Sequence, residues 1–335
     1  MIRVMTVKEI ALLVKKVSLK TFFLKLIEQL ISDYQRWDEF EKCPRHATHV
    51  PGGVIELMPI ADRQFYAFKY VNGHPNNPKE NKLTVAATGQ LSSVKNGYPL
   101  MISEMTLLTA FRTAATSAMA SRYLSKKNAK TFGIIGTGAQ SEFQTLAHFF
   151  ALGIDEIYYF DLDGKAAQKF EGNLRSYPLK LHRCASGKAV VEKSDIITTA
   201  TAKKGHQKVI EASWIKEGVH INKIGGDCPG KTELDSALLP KCKIVVELLE
   251  QTKIEGEIQQ SDTKIYAELW ELAKKVKPGR TSNGEITLFD SVGFALEDYS
   301  VLRLIHQLAE EHNVGHLLDL IPEISDPKNL FGALA

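Results

Sequence analysis

Residues 218–234 read GVHINKIGGDCPGKTEL, which sets a single carboxylate, Asp227, behind two glycines and ahead of Cys228-Pro229, with Lys231 four positions on. The stretch up to Asp227 has the composition of a short strand, and in open α/β sheets ligands bind outside the carboxyl ends of strands. A carboxylate in that position has the chemistry of a general acid or base. Taken alone, Asp227 is better explained as a turn or cap aspartate ahead of a helix starting near Thr232, and it is its position at the strand end that shifts the balance towards chemistry. A second apolar run, KSDIITTAT at 193–201, ends in small hydroxyl residues and offers another strand end for the same ligand.

The clearest motif is TFGIIGTGAQSEFQTLAHFFALGIDEIYYFDLD. It reads as an apolar strand (131–135), a turn through Gly136-Thr137-Gly138, a helix closed by Gly153, and a second strand (157–160) that ends at Asp161. Such glycines let backbone approach a pyrophosphate, the helix N-terminus offers free N–H groups, and the acid receives ribose hydroxyls. Ser141 replaces the third glycine, so the fingerprint departs from its usual form, and a tight turn that binds nothing is the bland alternative. Asp161-Leu162-Asp163, with no adjacent arginine, favours NAD over NADP, whose additional phosphate the acids would repel.

Positive side chains supply the other half of a site. Strict alternation in FYAFKYV puts Lys69 on the face of Phe65, Ala67 and Val71, and in VIELM it puts Glu56 with Val54 and Met58. Charges among apolar neighbours need partners, unless Lys69 snorkels from an edge strand and the Glu56 face meets water. Arg45 in CPRHATH and Arg112 in LTAFRTAATSA lack such periodicity, and surface salt bridges would account for both. If Arg45, Lys69 and Arg112 converge, they form a clamp for a carboxylate, which arginine can grip bidentately. The residues by themselves thus describe a nicotinamide enzyme acting on a small anionic molecule.

These groups need a scaffold. Residues 19–34, LKTFFLKLIEQLISDY, carry an apolar stripe at helical spacing with Ser18 as cap. From about residue 50, short strand-like runs broken by NGHPNNP and by the Asn96-Gly97 hairpin signal predict an antiparallel sheet. Residues 106–127 read as a helix, after which strands and helices alternate to about residue 300, the pattern of a doubly wound parallel sheet. ALEDYSVLRLIHQLAEEHNVG predicts another amphipathic helix, and the tail beyond it is expected to return to the first domain. The 335 residues suffice for two domains, and the net charge of +3 is spread without a basic stripe, which argues against nucleic acid as a partner. Cys43, Cys184, Cys228 and Cys242 form no CxxC pair, so neither a disulfide framework nor a metal site is indicated. The apolar residues 10–14 stop at Lys15-Lys16, too short for a signal segment or membrane span, and the cytoplasm is the default compartment.

Six stretches, GGVIELMPIAD, YAFKYVNGHP, TGQLSSVKNGYPLMISEMTLLTAFRTAATSA, GIIGTGAQSEFQ, GGDCPGKTEL and FDSVGFALEDYSVLR, make the chain resemble the ornithine cyclodeaminase/mu-crystallin family over nearly its whole length, and its cyclodeaminase branch in particular. The resemblance implies an α+β substrate and dimerisation domain (1–115, joined by 312–335), a Rossmann domain (116–311) and a homodimer. It implies a substrate carboxylate held by Arg45, Lys69 and Arg112, Glu56 near the substrate amine, Val292 at the substrate, and Asp227 as acid and base, with Lys69 and Glu56 counted beside it in catalysis. Cofactor contacts carry over to Thr84, Arg112, Gly136, Gly138, Ala139, Gln140, Asp161, Thr201, Ile224, Gly225, Gly226, Asp227, Lys231 and Ser291.

The implied reaction is L-ornithine to L-proline and ammonia, with NAD+ taking and returning a hydride. The δ-ammonium, with a pKa near ~10, must lose its proton before it can attack, and Asp227 is the candidate base. Two rivals remain: a net-redox relative such as an alanine dehydrogenase or ketimine reductase, and a cofactor-holding protein like the mu-crystallins. The family pattern associates GGDCPGKTEL with the cyclodeaminases rather than with either rival.

Overall fold

The computed structural model describes residues 1–202 and 205–334. Of the expected C-terminal segment 312–335, Ala335 lies outside the described residues. Two large sheets organise the chain, and a set of long helices lies between them.

The first sheet runs in the order His316–Leu318, Ile2–Met5, Pro99–Glu104, Val85–Ser93, Phe65–Gly73, Gly53–Ala61 and Glu41–Lys42, with His46–Val50 also paired to Gly53–Ala61. It is antiparallel apart from the parallel contact of Ile2–Met5 with Pro99–Glu104. Alternation puts Ala67, Lys69 and Val71 on the buried face of Phe65–Gly73, with Glu56 and Met58 buried on the neighbouring strand. Gly53–Ala61 and Val85–Ser93 flank Lys69 on either side, so it is an interior lysine and not an edge residue that reaches water. His316–Leu318 pairs antiparallel with Ile2–Met5, which brings the chain back to its beginning.

The expected apolar stripe forms the helix Leu19–Gln35, whose Phe22, Phe23, Leu26, Ile27 and Leu30 are fully buried. Ser18 caps it, its Oγ accepting the Thr21 N–H at 3.2 Å. Phe22 and Phe23 meet Phe111 edge-on, at 4.9 and 5.2 Å between ring centres, which locks this helix to Thr106–Leu124. The helix Ala295–Glu311 also packs on both. Its N-terminal half is buried nearly all round, so the amphipathic expectation gives way there to a core helix that carries Glu297 and Asp298 inside.

The second sheet is parallel throughout, ordered Lys180–Arg183, Glu156–Phe160, Thr131–Ile135, Ile196–Thr199, His220–Lys223, Ile286–Asp290, Cys242–Val246 and Ala267–Glu268. Strand order reverses between Thr131–Ile135 and Ile196–Thr199, and the crevice at that switch point is where such sheets take a dinucleotide. Residues 232–234 differ from the helix expected near Thr232. They form a buried strand, Thr232–Leu234, parallel to His206–Ile210, because the N–H groups of Glu233 and Leu234 donate to the Glu257 carboxylate rather than into a helical turn.

Candidate active site

At the switch point, Gly136 adopts φ of +97°, and a Cβ there would lie 2.6 Å from the Ala200 carbonyl oxygen. Only glycine fits, and the chain turns sharply off Thr131–Ile135. Asp161, at the end of Glu156–Phe160, fastens the turn: its Oδ2 accepts the Thr137 N–H at 2.6 Å and the Thr137 hydroxyl at 3.0 Å. Gly138 and Ala139 are exposed at the mouth of the helix Ser141–Leu152, with open space where a Gly138 side chain would be. Ser141 takes the place of the third glycine by donating its hydroxyl to the Gly138 carbonyl at 2.8 Å. The neighbouring Gln140 has a buried Oε1 with no hydrogen-bond partner. Exposed turn backbone, a helix N-terminus, an unpartnered amide oxygen and a carboxylate one strand away fit the pyrophosphate and ribose of a dinucleotide.

Across the crevice, Glu233 draws two strand ends together. Its carboxylate accepts from Thr199 Oγ1 at 2.7 Å, from Thr201 N–H at 2.7 Å and Oγ1 at 2.6 Å, and from Gly225 N–H at 2.9 Å. A side chain at Gly225 would collide with that carboxylate. Under the same loop, fully buried Lys223 donates to the Gly226 carbonyl and pairs with Asp290 at 3.0 Å. Burial would lower the Lys223 ammonium, but Asp290 and Glu257 more than offset this and hold it above the ordinary lysine range. The loop that presents Asp227 is thus braced from below. Asp227 itself is half-exposed, and Lys231 Nζ donates to its Oδ1 at 3.1 Å. Burial opposes the Lys231 charge, yet Asp227 and Glu233 keep its pKa raised.

The three expected cations converge, but as members of a buried ion network rather than as surface pairs. Arg45 Nη1 meets Glu56 at 3.1 Å, its Nε lies 3.3 Å from Glu255, and its Nη2 donates to the carbonyls of Val292 and Gly293 at 2.6 and 2.7 Å. Arg112 Nη1 bonds Glu297 at 2.5 Å, and its Nε lies 3.1 Å from Asp298. Lys69 pairs with the same Asp298 at 2.9 Å. Burial, then the nearby Arg112, lowers the Lys69 ammonium to about 8, with Asp298 opposing and Arg45 adding to the fall. Arg45 also lies within electrostatic reach of Arg112 and Asp227, which puts the cluster beside the Asp227 loop. The buried Arg45 Nε, Arg112 Nε and Glu255 Oε2 lack hydrogen-bond partners despite their ion pairs.

Most residues singled out in the sequence fall on this crevice. Ser291 donates to Glu247 at 2.5 Å beside Val292, which carries the Arg45 contact. Ile224 follows Lys223, and its N–H donates to the Thr199 carbonyl at 3.1 Å. Thr84 stands at the entry to Val85–Ser93, where its carbonyl accepts the His74 N–H. Seven acids went unnoticed in the sequence: Glu233, Glu247, Glu255, Glu257, Asp290, Glu297 and Asp298. The Glu297-Asp298 pair had a readable signal, two acids inside an otherwise apolar helical run. Glu255 had one too, standing one helical turn after Gln251, whose Oε1 accepts the Arg45 backbone N–H at 3.1 Å. Glu233 had none, because its role depends on three strands meeting.

A profile of the ornithine cyclodeaminase/mu-crystallin family matches residues 7–313. An ornithine cyclodeaminase of Agrobacterium fabrum is 47% identical over 317 residues, 94% of this chain and 90% of that protein. Among solved structures, a lysine cyclodeaminase described for its recognition of L-lysine, L-ornithine and L-2,4-diaminobutyric acid is similar at TM-score 0.92 and 27% identity, covering 98% of each chain. An archaeal alanine dehydrogenase dimer with bound NAD is similar at TM-score 0.87 and 32% identity, covering 96% of this chain and 99% of that one. With the family profile and the relative from Agrobacterium each covering most of its length, the chain belongs to the ornithine cyclodeaminase/mu-crystallin family.

Proposed function

We propose that this chain is an NAD-dependent cyclodeaminase that converts L-ornithine to L-proline and ammonia. One observation carries the reading: the buried cations Arg45, Lys69 and Arg112 share a cluster with carboxylates that reach the Asp227 loop, and polar atoms of both signs in it lack hydrogen-bond partners. A ligand with an anionic end and an ammonium end satisfies both sets. The 47% identity to a cyclodeaminase over 94% of the chain, against 39% to an alanine dehydrogenase of Archaeoglobus fulgidus over 78% of it, supports ring closure over net oxidation.

The Gly136–Gln140 turn and Asp161, with Thr84, Thr201, Lys231 and Ser291, would hold NAD+, which would supply a hydride acceptor restored in each cycle. Arg45, Lys69 and Arg112 grip the α-carboxylate, and Glu56 faces the amine. Asp227 takes a proton from the side-chain ammonium and frees its lone pair for attack on the α-carbon once that carbon has lost its hydride, and the α-amine then leaves it as ammonia before the hydride is returned. Lys231, donating to its Oδ1, keeps Asp227 in place between turnovers. Because the clamp curls the substrate over one carbon, ring closure is intramolecular, with an effective concentration that can reach ~10⁵ M or more.

In the same reading, residues 1–115 with 312–335 form a substrate and dimerisation unit, and 116–311 the dinucleotide unit. The pairing of His316–Leu318 with Ile2–Met5 supports the first assignment, although the helix Thr106–Leu124 runs through the boundary as one element. Leu57, Tyr66 and Tyr70 stand exposed on the antiparallel sheet, and a homodimer would cover them. The cytoplasm suits the exposed Cys43 thiol. The test is ammonia release from L-ornithine with trace NAD+, using L-lysine and L-alanine as controls. Ammonia and proline in equal amounts, far above the NAD+ supplied, are expected; NADH formed in step with product would favour a dehydrogenase.

A further inference from the structure

Glu255 belongs neither to the carboxylate clamp nor to the cofactor turn, yet it is buried against both Arg45 and the Asp227 loop. It closes the helix Leu249–Glu255, and the next two residues with free N–H groups, Glu257 and Ile258, donate to the Asp290 carboxylate at 2.9 and 3.1 Å. One turn earlier Gln251 donates from Nε2 to the Gly293 carbonyl at 2.6 Å and accepts from Arg45 N–H. These bonds pin the backbone on either side of Glu255, whose side chain meets Arg45.

Charge then asks for a ligand. Around the single Arg45 guanidinium stand Glu56, Glu255 and Asp227; Asp227 has a further cation in contact, Lys231, whereas Lys223, which also acts on Glu255 from a distance, is itself paired with Asp290 and Glu257. Glu56 and Glu255 therefore share the one Arg45 cation in contact with them, a buried arrangement that a further positive group would balance. Of the two, Glu255 shows the need. Its Oε2 is buried without a hydrogen bond, its approach to Arg45 is a 3.3 Å ion contact, and burial, with Glu56 and Asp227 adding and Arg45 and the more distant Lys223 opposing, pushes its carboxyl up to about 7. Lys69 and Arg112 share Asp298, whereas Glu255 lies on the Asp227 side of the cluster.

We propose that Glu255 receives the side-chain ammonium of the substrate and so makes the site select diamino acids over their monoamino counterparts. This rests on the reading of the site as one for an amino acid. An ammonium held there lies next to Asp227, the group that takes its proton, and completes the charge balance around Arg45. Alanine-sized substrates have nothing to place against it.

The test is calorimetric binding of L-ornithine and of L-norvaline, which keeps the carboxylate, α-amine and chain length but lacks the side-chain amine. Both are titrated into the NADH-loaded wild type and Glu255→Gln proteins. The variant is expected to lose at least about tenfold in L-ornithine affinity while L-norvaline changes less than about twofold. Equal losses for both ligands would mean that Glu255 only orients Arg45 or meets the α-amine, and no loss for either would mean that it meets no ligand; both results overturn the proposal. Should Glu255→Gln fail to fold, Glu255→Asp keeps the charge and shortens its reach, and the same selective loss is expected of it. A wild type that ignores L-ornithine would instead overturn the reading of the function.

Discussion

At the cofactor turn the atoms that do the positioning are backbone: Gly136 pressed against the Ala200 carbonyl, the Thr137 N–H on Asp161, the exposed peptide of Gly138 and Ala139. Around Arg45 and Arg112 they are mostly side-chain charges, drawn from the antiparallel sheet and from two helices, with backbone carbonyls added only from the loop after Ile286–Asp290. The first arrangement is local and tolerates substitution wherever side chains point away. The second is long-range and tightly compensated, so removing one ion strands its partners. Damage to the charge cluster should therefore cost stability and substrate handling together, whereas damage at the turn should alter only the cofactor.

Replacement of Arg45 by Met tests the stronger half of that contrast. It leaves buried Glu56 and Glu255 without their shared cation, and breaking such an arrangement costs about 3–5 kcal/mol. Chemical denaturation should register a loss of that size; a variant as stable as wild type would show that the cluster is not mutually dependent.

Asp227→Asn separates chemistry from assembly, because the half-exposed side chain keeps its shape and loses only its basicity. Turnover of L-ornithine should fall by at least ~10²-fold with NAD+ affinity retained. Turnover near that of the wild type would remove Asp227 from the mechanism.

On the turn side, Asp161→Ser with Leu162→Arg exchanges an acid that repels a 2′-phosphate for a cation at a position that is 92% exposed. The ratio of NADP to NAD activity should rise by about tenfold or more, with L-ornithine affinity unaltered. An unchanged preference would detach Asp161 from the ribose.

The smallest effect is in pH. Lys69, faced by Asp298, Arg112 and Arg45, is lowered to about 8, so it is cationic below that pH and neutral above it. The affinity for the substrate carboxylate should accordingly fall as pH rises through about 8, and Lys69→Arg, whose guanidinium stays charged, should remove that alkaline limb. A limb that persists in Lys69→Arg would belong to another group.

The same contrast governs what could be read in advance. The turn was legible because nearly all its determinants lie within one stretch, residues 131–161, only the Ala200 carbonyl against Gly136 coming from beyond it. The clamp was legible only in part. Alternation marked Lys69 and Glu56 as charges on an apolar face, which the buried pairs with Asp298 and Arg45 explain. Arg45 and Arg112, which gave no periodic signal, became candidates only through their charge and the family resemblance. Their counter-ions Glu255, Glu297 and Asp298 come from segments about two hundred residues away, and no local pattern links an arginine to an acid at that distance. The strand at Thr232–Leu234 was missed for a related reason: its backbone is claimed by Glu257, a tertiary partner that overrides local preference.

The central claim is a ring closure without net oxidation, in which the side-chain amine displaces the α-amine. L-Ornithine carrying deuterium at the α-carbon and nitrogen-15 in the α-amine tests it in one reaction with excess unlabelled NAD+. The account predicts proline that keeps its α-deuterium and ammonia that carries the nitrogen-15. Deuterium lost to the nicotinamide pool, or nitrogen-15 retained in the proline ring, would contradict it.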